Sequence, residues 1–276
     1  MYSSNSAPTT RAAMSLPELI AMKRSGRKIV CLTAYDASFA RAMDRAGIDL
    51  VLVGDSLGMV VQGHGSTLPV SLRDMCYHSA CVAKGLQSAL LMADLPFQSY
   101  ASPAQAHASA TQLMAEGGAS VVKLEGAGVI LESIRYLADR DIPVCAHLGL
   151  TPQSVMQLGG FKVQGRDEAS ADRLMRQAVE VQAAGASLLV LECIPATLAT
   201  EISAMLTIPT IGIGAGPGCD GQVLVMHDLL GLAGRSRRPR FVRNFLQGRD
   251  SIDAAFEAYA NDVREGRFPA AEHIYQ

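Results

Sequence analysis

No apolar run in this chain approaches the ~20 residues of a membrane-spanning helix, so the sequence is not read as crossing a bilayer. Neither charge dominates: 26 acidic residues stand against 24 Lys and Arg, a formal net charge of −2, with no long block of one sign. That balance argues against nucleic acid or an anionic membrane surface as the main partner. Cysteines are scattered, at Cys31, Cys76, Cys81, Cys145, Cys193 and Cys219, with no C-x-x-C pair. They read as reduced, mostly buried thiols of a cytoplasmic protein, none with a catalytic role. Neither His-x-x-x-His nor a cysteine cluster occurs, which excludes a structural zinc site of ordinary spacing. The glycine-rich "GIGAGPGCDG" (212–221) lacks Gly-Lys-Ser/Thr and opens no Rossmann unit, so tight backbone turning is the expectation there. No linker-like stretch interrupts the chain, which predicts one domain over residues 16–276. The start, "MYSSNSAPTTRAAMS", has no apolar core of a secretory signal, and residues 1–15 read as a disordered polar tail. Arg11 and the lack of an acid before Glu18 leave a transit peptide open.

What is present is an alternation. The 276 residues are 49% hydrophobic and 18% charged, enough apolar material for a large buried core. Short β-rich runs at 28–36, 48–56, 88–97, 120–126, 142–150, 187–195 and 208–216 are separated by longer segments of helical composition. Ser102-Pro103 and Asp167 mark helix starts, and Gly47, Gly118 and Gly185 mark helix ends just ahead of strands. Near-continuous hydrophobic strands joined by helices predict a parallel sheet covered on both faces. Seven strands and one more make a (β/α)₈ TIM barrel, an α/β fold of about 250 residues. The segment "GQVLVMHDLLG" (221–231) follows the seventh strand too closely for a helical crossover of about a dozen residues. It is therefore read as helix seven, between an Asp220 N-cap and a Gly231 C-cap, with the eighth strand near "RFVRNF" (240–245). Two long loops, 57–71 and 150–167, are expected to cover or line a site.

Active sites of such barrels lie at the C-terminal strand ends. There the sequence places Asp36, Asp55 and Ser56, Asp94, Lys123 and Glu125, His147, and Glu192. Asp36, just before "ASFA", is expected to cap a helix. Asp94 precedes Leu95-Pro96 and suits a local turn as well as a ligand. Lys123 and Glu125, two apart on one strand, share a face and suit an ion pair as well as a site. His147 taken alone reads as a satisfied core histidine ahead of an acid or a ligand. Glu192, between "LLVL" and "CIP", has no surface to reach. Adjacent parallel strands are ~4.8 Å apart, so Asp55, Asp94 and Glu125 can share one ligand. Three such carboxylates repel unless a cation sits among them, and hard oxygen donors suit Mg²⁺ or a similar divalent ion.

These motifs resemble one family. "VGDSLGMVVQGHGSTLPVS", "ADLPF", "VKLEG", "HLGLTPQSV", "GGFKVQGR", "LLVLECIP" and "IGIGAG…DGQVLVMHD", in this order from about Leu16 to His273, resemble the ketopantoate hydroxymethyltransferases. The resemblance implies a (β/α)₈ barrel of the phosphoenolpyruvate-pyruvate lyase-like superfamily, assembled as a homodecamer of two pentameric rings. It implies transfer of a hydroxymethyl group from 5,10-methylenetetrahydrofolate to 3-methyl-2-oxobutanoate, with Mg²⁺, in pantothenate biosynthesis. It implies Asp55, Asp94 and Glu125 as metal ligands, the last directly or through water. Substrate contacts fall to Asp55, Ser56, Asp94 and Lys123, with His147 as a candidate neighbour of the substrate or of metal-bound water. Glu192 is the implied catalytic base. Two other readings stay open at this level. A carbon–carbon lyase or mutase of the same superfamily would need no folate, and a non-catalytic scaffold would have no need of a charged barrel mouth.

Overall fold

The apolar runs form strands inside each expected stretch: β1 (Ile29–Thr33), β2 (Leu50–Val53), β3 (Leu90–Asp94), β4 (Val121–Glu125), β5 (Val144–Gly149), β6 (Leu188–Glu192) and β7 (Thr210–Ile213). In the computed structural model, which describes residues 11–232 and 238–276, these strands and β8 (Gly221–Leu224) close into a barrel. All eight neighbouring pairs are parallel, β8 returning to β1. The expected (β/α)₈ barrel is borne out. Around it run α1 (Leu16–Arg24), α2 (Ala37–Arg45), α3 (Leu57–Val60), α4 (Leu72–Ala83), α5 (Pro103–Ala115), α6 (Ile130–Ala138), α7 (Val155–Leu158), α8 (Glu168–Ala183), α9 (Ala196–Met205), α10 (Met226–Leu229) and α11 (Ile252–Arg264). None of the described helices is long and apolar enough to cross a membrane.

Strand residues are buried on both faces because alternate side chains serve different layers. Ile29, Cys31, Leu50, Leu52, Leu90, Met92, Val121, Cys145, Leu188, Val190, Ile211 and Val223 pack together, with Leu19 and Met22 of α1. Their alternates, such as Val30, Leu32, Val51, Val53, Leu91 and Val122, pack with the helices. The first parity is the one that leads into the site. It continues from Met92 to Asp94, from Val121 to Lys123 and Glu125, from Cys145 to His147, and from Val190 to Glu192.

Helix starts follow local chemistry. Ser15 and Glu18 form a reciprocal capping box on α1, and Ser71 and Asp74 another on α4. Asp36 accepts from Ser38 N (2.7 Å) and Phe39 N (3.0 Å), so it is the N-cap of α2, as expected. Of the segment read as a tail, residues 1–10 lie outside the described residues. Arg11 donates to the carbonyl of Gly47 (2.7 Å) and pairs with the buried Asp49, and Met14 N donates to Ser88 O (2.6 Å).

The eighth strand requires a correction. Segment 240–245 contains no strand, and the segment read as helix seven begins with β8, leaving only α10 helical. The chain returns from the top of β7 to the foot of β8 through residues 214–220 without a helix. That short path works because its glycines let the backbone lie directly on α9. A Cβ at Gly216 would stand 2.4 Å from Ala196 Cβ, and one at Gly218 would stand 2.0 Å from Thr200 Oγ1. The return's polar groups are satisfied locally: Lys28 Nζ donates to Pro217 O (3.0 Å), and Gln222 Nε2 donates to Gly216 O (3.0 Å). Asp220, expected as a helix cap, instead accepts from Thr210 N (2.8 Å) and Lys23 Nζ (2.7 Å). Gly216 also has φ +78°, where a side chain is strained. Gly216→Ala is expected to lower unfolding stability by about 2–4 kcal/mol, from strain and overpacking together. Urea melts check this, and an unchanged midpoint would contradict the packing described.

Candidate active site

A cavity of about 620 Å³ opens at the C-terminal ends of the strands, and its lining includes Asp55, Ser56, Asp94, Lys123, Glu125, His147 and Glu192. All seven site residues proposed from sequence are thus brought together, whereas Asp36 stays at its helix cap. Of these seven, four are carboxylates and two, Lys123 and His147, can carry positive charge.

The turn after β2 explains "GDS". Asp55 N donates to Asp94 Oδ2 (3.0 Å), tying the ends of β2 and β3 together. Gly54 permits the approach, since a Cβ there would lie 2.8 Å from Ser56 Oγ and 3.5 Å from Asp94 Oδ2. Ser56 Oγ shares a 3.0 Å hydrogen bond with Tyr35 Oη. Lys123 Nζ donates to Asp94 Oδ1 at 2.5 Å. Both partners are almost wholly buried, with side chains 6% and 4% exposed. Burial presses Lys123 toward neutrality, but Asp94, Glu125 and Asp55 outweigh it and raise its pKa. Asp55 is pushed well above the usual carboxylate range by burial, then by repulsion from Asp94 and Glu125.

His147 sits between two acids, Nδ1 3.3 Å from Glu125 Oε1 and Nε2 3.3 Å from Glu192 Oε2. Neither contact is aligned as a hydrogen bond; they are ion-pair contacts. Burial and the Lys123 charge oppose protonation, yet the two carboxylates prevail and lift the imidazole to about 9. Glu192 is the more open of the acids, its side chain 15% exposed against 3% for Glu125.

The surplus of buried negative charge is the feature that suits a divalent cation. No three His, Cys, Asp or Glu side chains among the described residues form a ready-made ligand set. Oxygen donors from two carboxylates, with water and substrate completing the shell, are nevertheless an ordinary arrangement for Mg²⁺. The residues therefore fit such an ion.

Sequence reading missed Gln153. Its Nε2 donates to Asp55 Oδ2 (2.9 Å) and to Leu95 O (3.0 Å). Its Oε1 accepts from Tyr100 Oη (2.6 Å), and its backbone N donates to Glu125 Oε2 (3.0 Å). One residue of the loop after β5 thus positions Asp55 through its side-chain amide and Glu125 through its backbone N–H. An uncharged amide in a loop leaves no periodic or charge signal; the unusual length of loop 150–167 and the motif "HLGLTPQSV" pointed to the region but not to the residue. Gln153→Ala is expected to weaken divalent-ion binding about 10–100-fold, as loss of an outer hydrogen bond to a ligand does. Calorimetric titration checks this; wild-type affinity would show that Gln153 does not set the carboxylates.

The sequence pattern of the ketopantoate hydroxymethyltransferases matches residues 13–271. The chain belongs to that family. Two relatives, both named 3-methyl-2-oxobutanoate hydroxymethyltransferase, illustrate the closeness. The protein from Xanthomonas euvesicatoria pv. vesicatoria (strain 85-10) is 63% identical over 261 residues, covering 95% of this chain and 96% of its own. That from Xanthomonas campestris pv. campestris (strain 8004) is 61% identical over the same coverage. Among solved structures, phosphonopyruvate hydrolase complexed with oxalate and Mg²⁺ superposes with a TM-score of 0.62 at 16% identity, covering 94% of this chain and 99% of that one. A 2,3-dimethylmalate lyase, described as a PEP mutase/isocitrate lyase superfamily member, gives 0.59 at 18% identity, with 88% and 94% covered. At those identities the ketopantoate hydroxymethyltransferase fold is what is shared with them.

Proposed function

We propose that this chain moves a hydroxymethyl group from 5,10-methylenetetrahydrofolate to 3-methyl-2-oxobutanoate, giving 2-dehydropantoate (ketopantoate) for pantothenate and coenzyme A biosynthesis. Kinship with the hydroxymethyltransferases supports the substrates. The observation that carries the chemistry is the buried, electronegative floor of Asp55, Asp94, Glu125 and Glu192 around Lys123. The substrate's C3 proton leaves, and a carbon–carbon bond forms to the folate's one-carbon unit. Both bonds from that carbon to the folate nitrogens break, water supplies the hydroxyl oxygen, and protonated tetrahydrofolate is released.

Lys123 places positive charge beside the oxo acid's oxygens, and Ser56, oriented by Tyr35, donates to its carboxylate. A divalent ion such as Mg²⁺, held by Asp55 and Asp94 with Glu125 binding directly or through water, supplies Lewis-acid stabilisation of the negative charge that develops on the oxo acid. Glu192 exchanges the proton, as the most open carboxylate on the rim and the one facing His147 Nε2. His147 in turn holds Glu125 and Glu192 apart as a shared cation. Loops 57–71 and 150–167 exclude water from the reacting carbon. Family-type assembly into a decamer and placement in the cytoplasm belong to the same reading, and light scattering on the purified protein tests the first.

The deciding experiment follows the C3 proton of 3-methyl-2-oxobutanoate by NMR in D₂O, with Mg²⁺ present or chelated, before and after methylenetetrahydrofolate is added. Metal-dependent exchange followed by ketopantoate is expected. Exchange with no folate product would favour a lyase relative, and neither exchange nor product from folded protein would overturn the reading.

A further inference from the structure

Glu192 ends β6, and the backbone just beyond it is strained. Among the described residues only three other than glycine have positive φ: Gln98, Asp141 and Cys193. The first two are exposed and lie in turns. Cys193, at φ +48°, is buried and follows Glu192 directly. A side chain in the left-handed region is disfavoured, and such a conformation persists only where its surroundings over-determine it. Here hydrogen bonds on both sides do so. Glu192 O accepts from Leu150 N (2.8 Å), Cys193 N donates to Ile213 O (2.9 Å), and Cys193 O accepts from Gln164 N (2.9 Å).

In a regular strand the N–H and C=O of one residue face the same neighbouring strand. The Cys193 N–H faces β7, so extended backbone would aim its carbonyl there too. The left-handed turn sends that carbonyl to the loop after β5 instead. Leu150 and Gln164 lie near the two ends of that loop, and between them Gln153 holds Asp55 and Glu125. One loop therefore grips the metal-side carboxylates and two successive carbonyls at Glu192 and Cys193. Gly149 permits the approach, since a Cβ there would stand 2.2 Å from Glu192 O. The thiol itself is no nucleophile: burial, then the Glu192 charge, pushes its pKa up and keeps it neutral. We propose that Cys193 is a positioning residue for Glu192: its left-handed backbone turns one carbonyl into loop 150–167, and this clasp fixes how the Glu192 carboxylate enters the cavity. The proposal rests on Glu192 exchanging the C3 proton, as in the reading above.

Substitutions that differ in backbone preference test it. Valine is β-branched and resists a positive φ, whereas glycine adopts it freely. In Cys193→Val, metal-dependent exchange of the oxo acid's C3 proton in D₂O is expected to slow about 10–100-fold, as a displacement of about 1 Å can produce. Calorimetric affinities for Mg²⁺ and 3-methyl-2-oxobutanoate should stay close to wild type, because those contacts lie after β2 and on β3 and β4. Amide hydrogen exchange in the peptide 161–166 should rise in the same variant, as the Gln164 N–H loses its acceptor. Cys193→Gly keeps the turn and is expected to keep the wild-type C3 exchange rate and amide protection. A slow glycine variant would overturn the clasp, whether or not the valine variant folds. So would a folded valine variant that exchanges at the wild-type rate, or one that loses affinity and exchange equally. Wild type that exchanges no C3 proton, or Glu192→Gln that exchanges at full rate, would instead overturn the role of Glu192 beneath it.

Discussion

Glu192→Gln is expected to lower turnover by about 10²–10⁴-fold, the range that a positioned general acid–base supplies, while the affinities for Mg²⁺ and 3-methyl-2-oxobutanoate stay close to wild type. Glutamine keeps the shape and a carbonyl acceptor but removes the proton-carrying carboxylate. The expected separation of kcat from binding follows from geometry. Glu192 makes no hydrogen bond to Asp55, Asp94 or Lys123, and its ion-pair contact with the site runs through His147 Nε2 at 3.3 Å. Steady-state kinetics with separate binding titrations check the split. C3-proton exchange in D₂O shows whether the lost step is proton removal itself. Equal loss of affinity and turnover would make Glu192 a structural member of the floor.

Asp55→Ala should act in two opposite directions. Divalent-ion binding is expected to fall more than about 100-fold, beyond what loss of an outer-shell group produces, and oxo-acid affinity should fall with it. Metal-free stability, by contrast, is expected to hold or rise by on the order of 1 kcal/mol, because a repelling buried charge is gone. Gln153 Nε2 keeps Leu95 O as acceptor after the substitution. The pH dependence carries a definite sign. Asp55 ionises less readily folded than unfolded, for burial and its acidic neighbours raise its pKa. Its contribution to stability is therefore present below the ordinary carboxylate range and is lost as pH rises through the elevated folded value. Asp55→Ala should flatten that loss in metal-free thermal melts, and added Mg²⁺ should stabilise wild type far more than the variant. A variant that binds oxo acid normally would sink the arrangement in which metal and substrate meet at Asp55.

Much of this was readable from local pattern. Strand and helix boundaries fell within the expected runs because β-rich apolar stretches, Ser and Asp caps and glycine stops act over a few residues. Asp36 was recognisable as a cap for the same reason. Asp94, Lys123, Glu125, His147 and Glu192 were legible because they continue the inward parity of their strands, apolar at Leu90 and Met92 before Asp94 and at Leu188 and Val190 before Glu192. Asp55 and Ser56 were legible only as polar residues just past the end of an apolar strand. A charge on an inward strand position at the C-terminal end has few structural uses in a parallel barrel.

The eighth strand and Gln153 were not legible, and the causes differ. Crossover length is a rule about helices, and residues 214–220 use none. Only the presence of α9 against Gly216 and Gly218 makes the short return feasible, and that surface comes from another part of the chain. Gln153 matters because three segments converge on its side chain and backbone, and its identity as a hub lies in contacts with Asp55, Leu95, Tyr100 and Glu125, not in its neighbours in sequence. Periodicity, capping and charge at strand ends are local properties, so the sequence alone determined the barrel, seven of its strands and the acidic floor. Which polar groups meet and which carboxylate stays open at the rim depend on closing the sheet. Those contacts join residues far apart in the chain, and only the tertiary structure decided them.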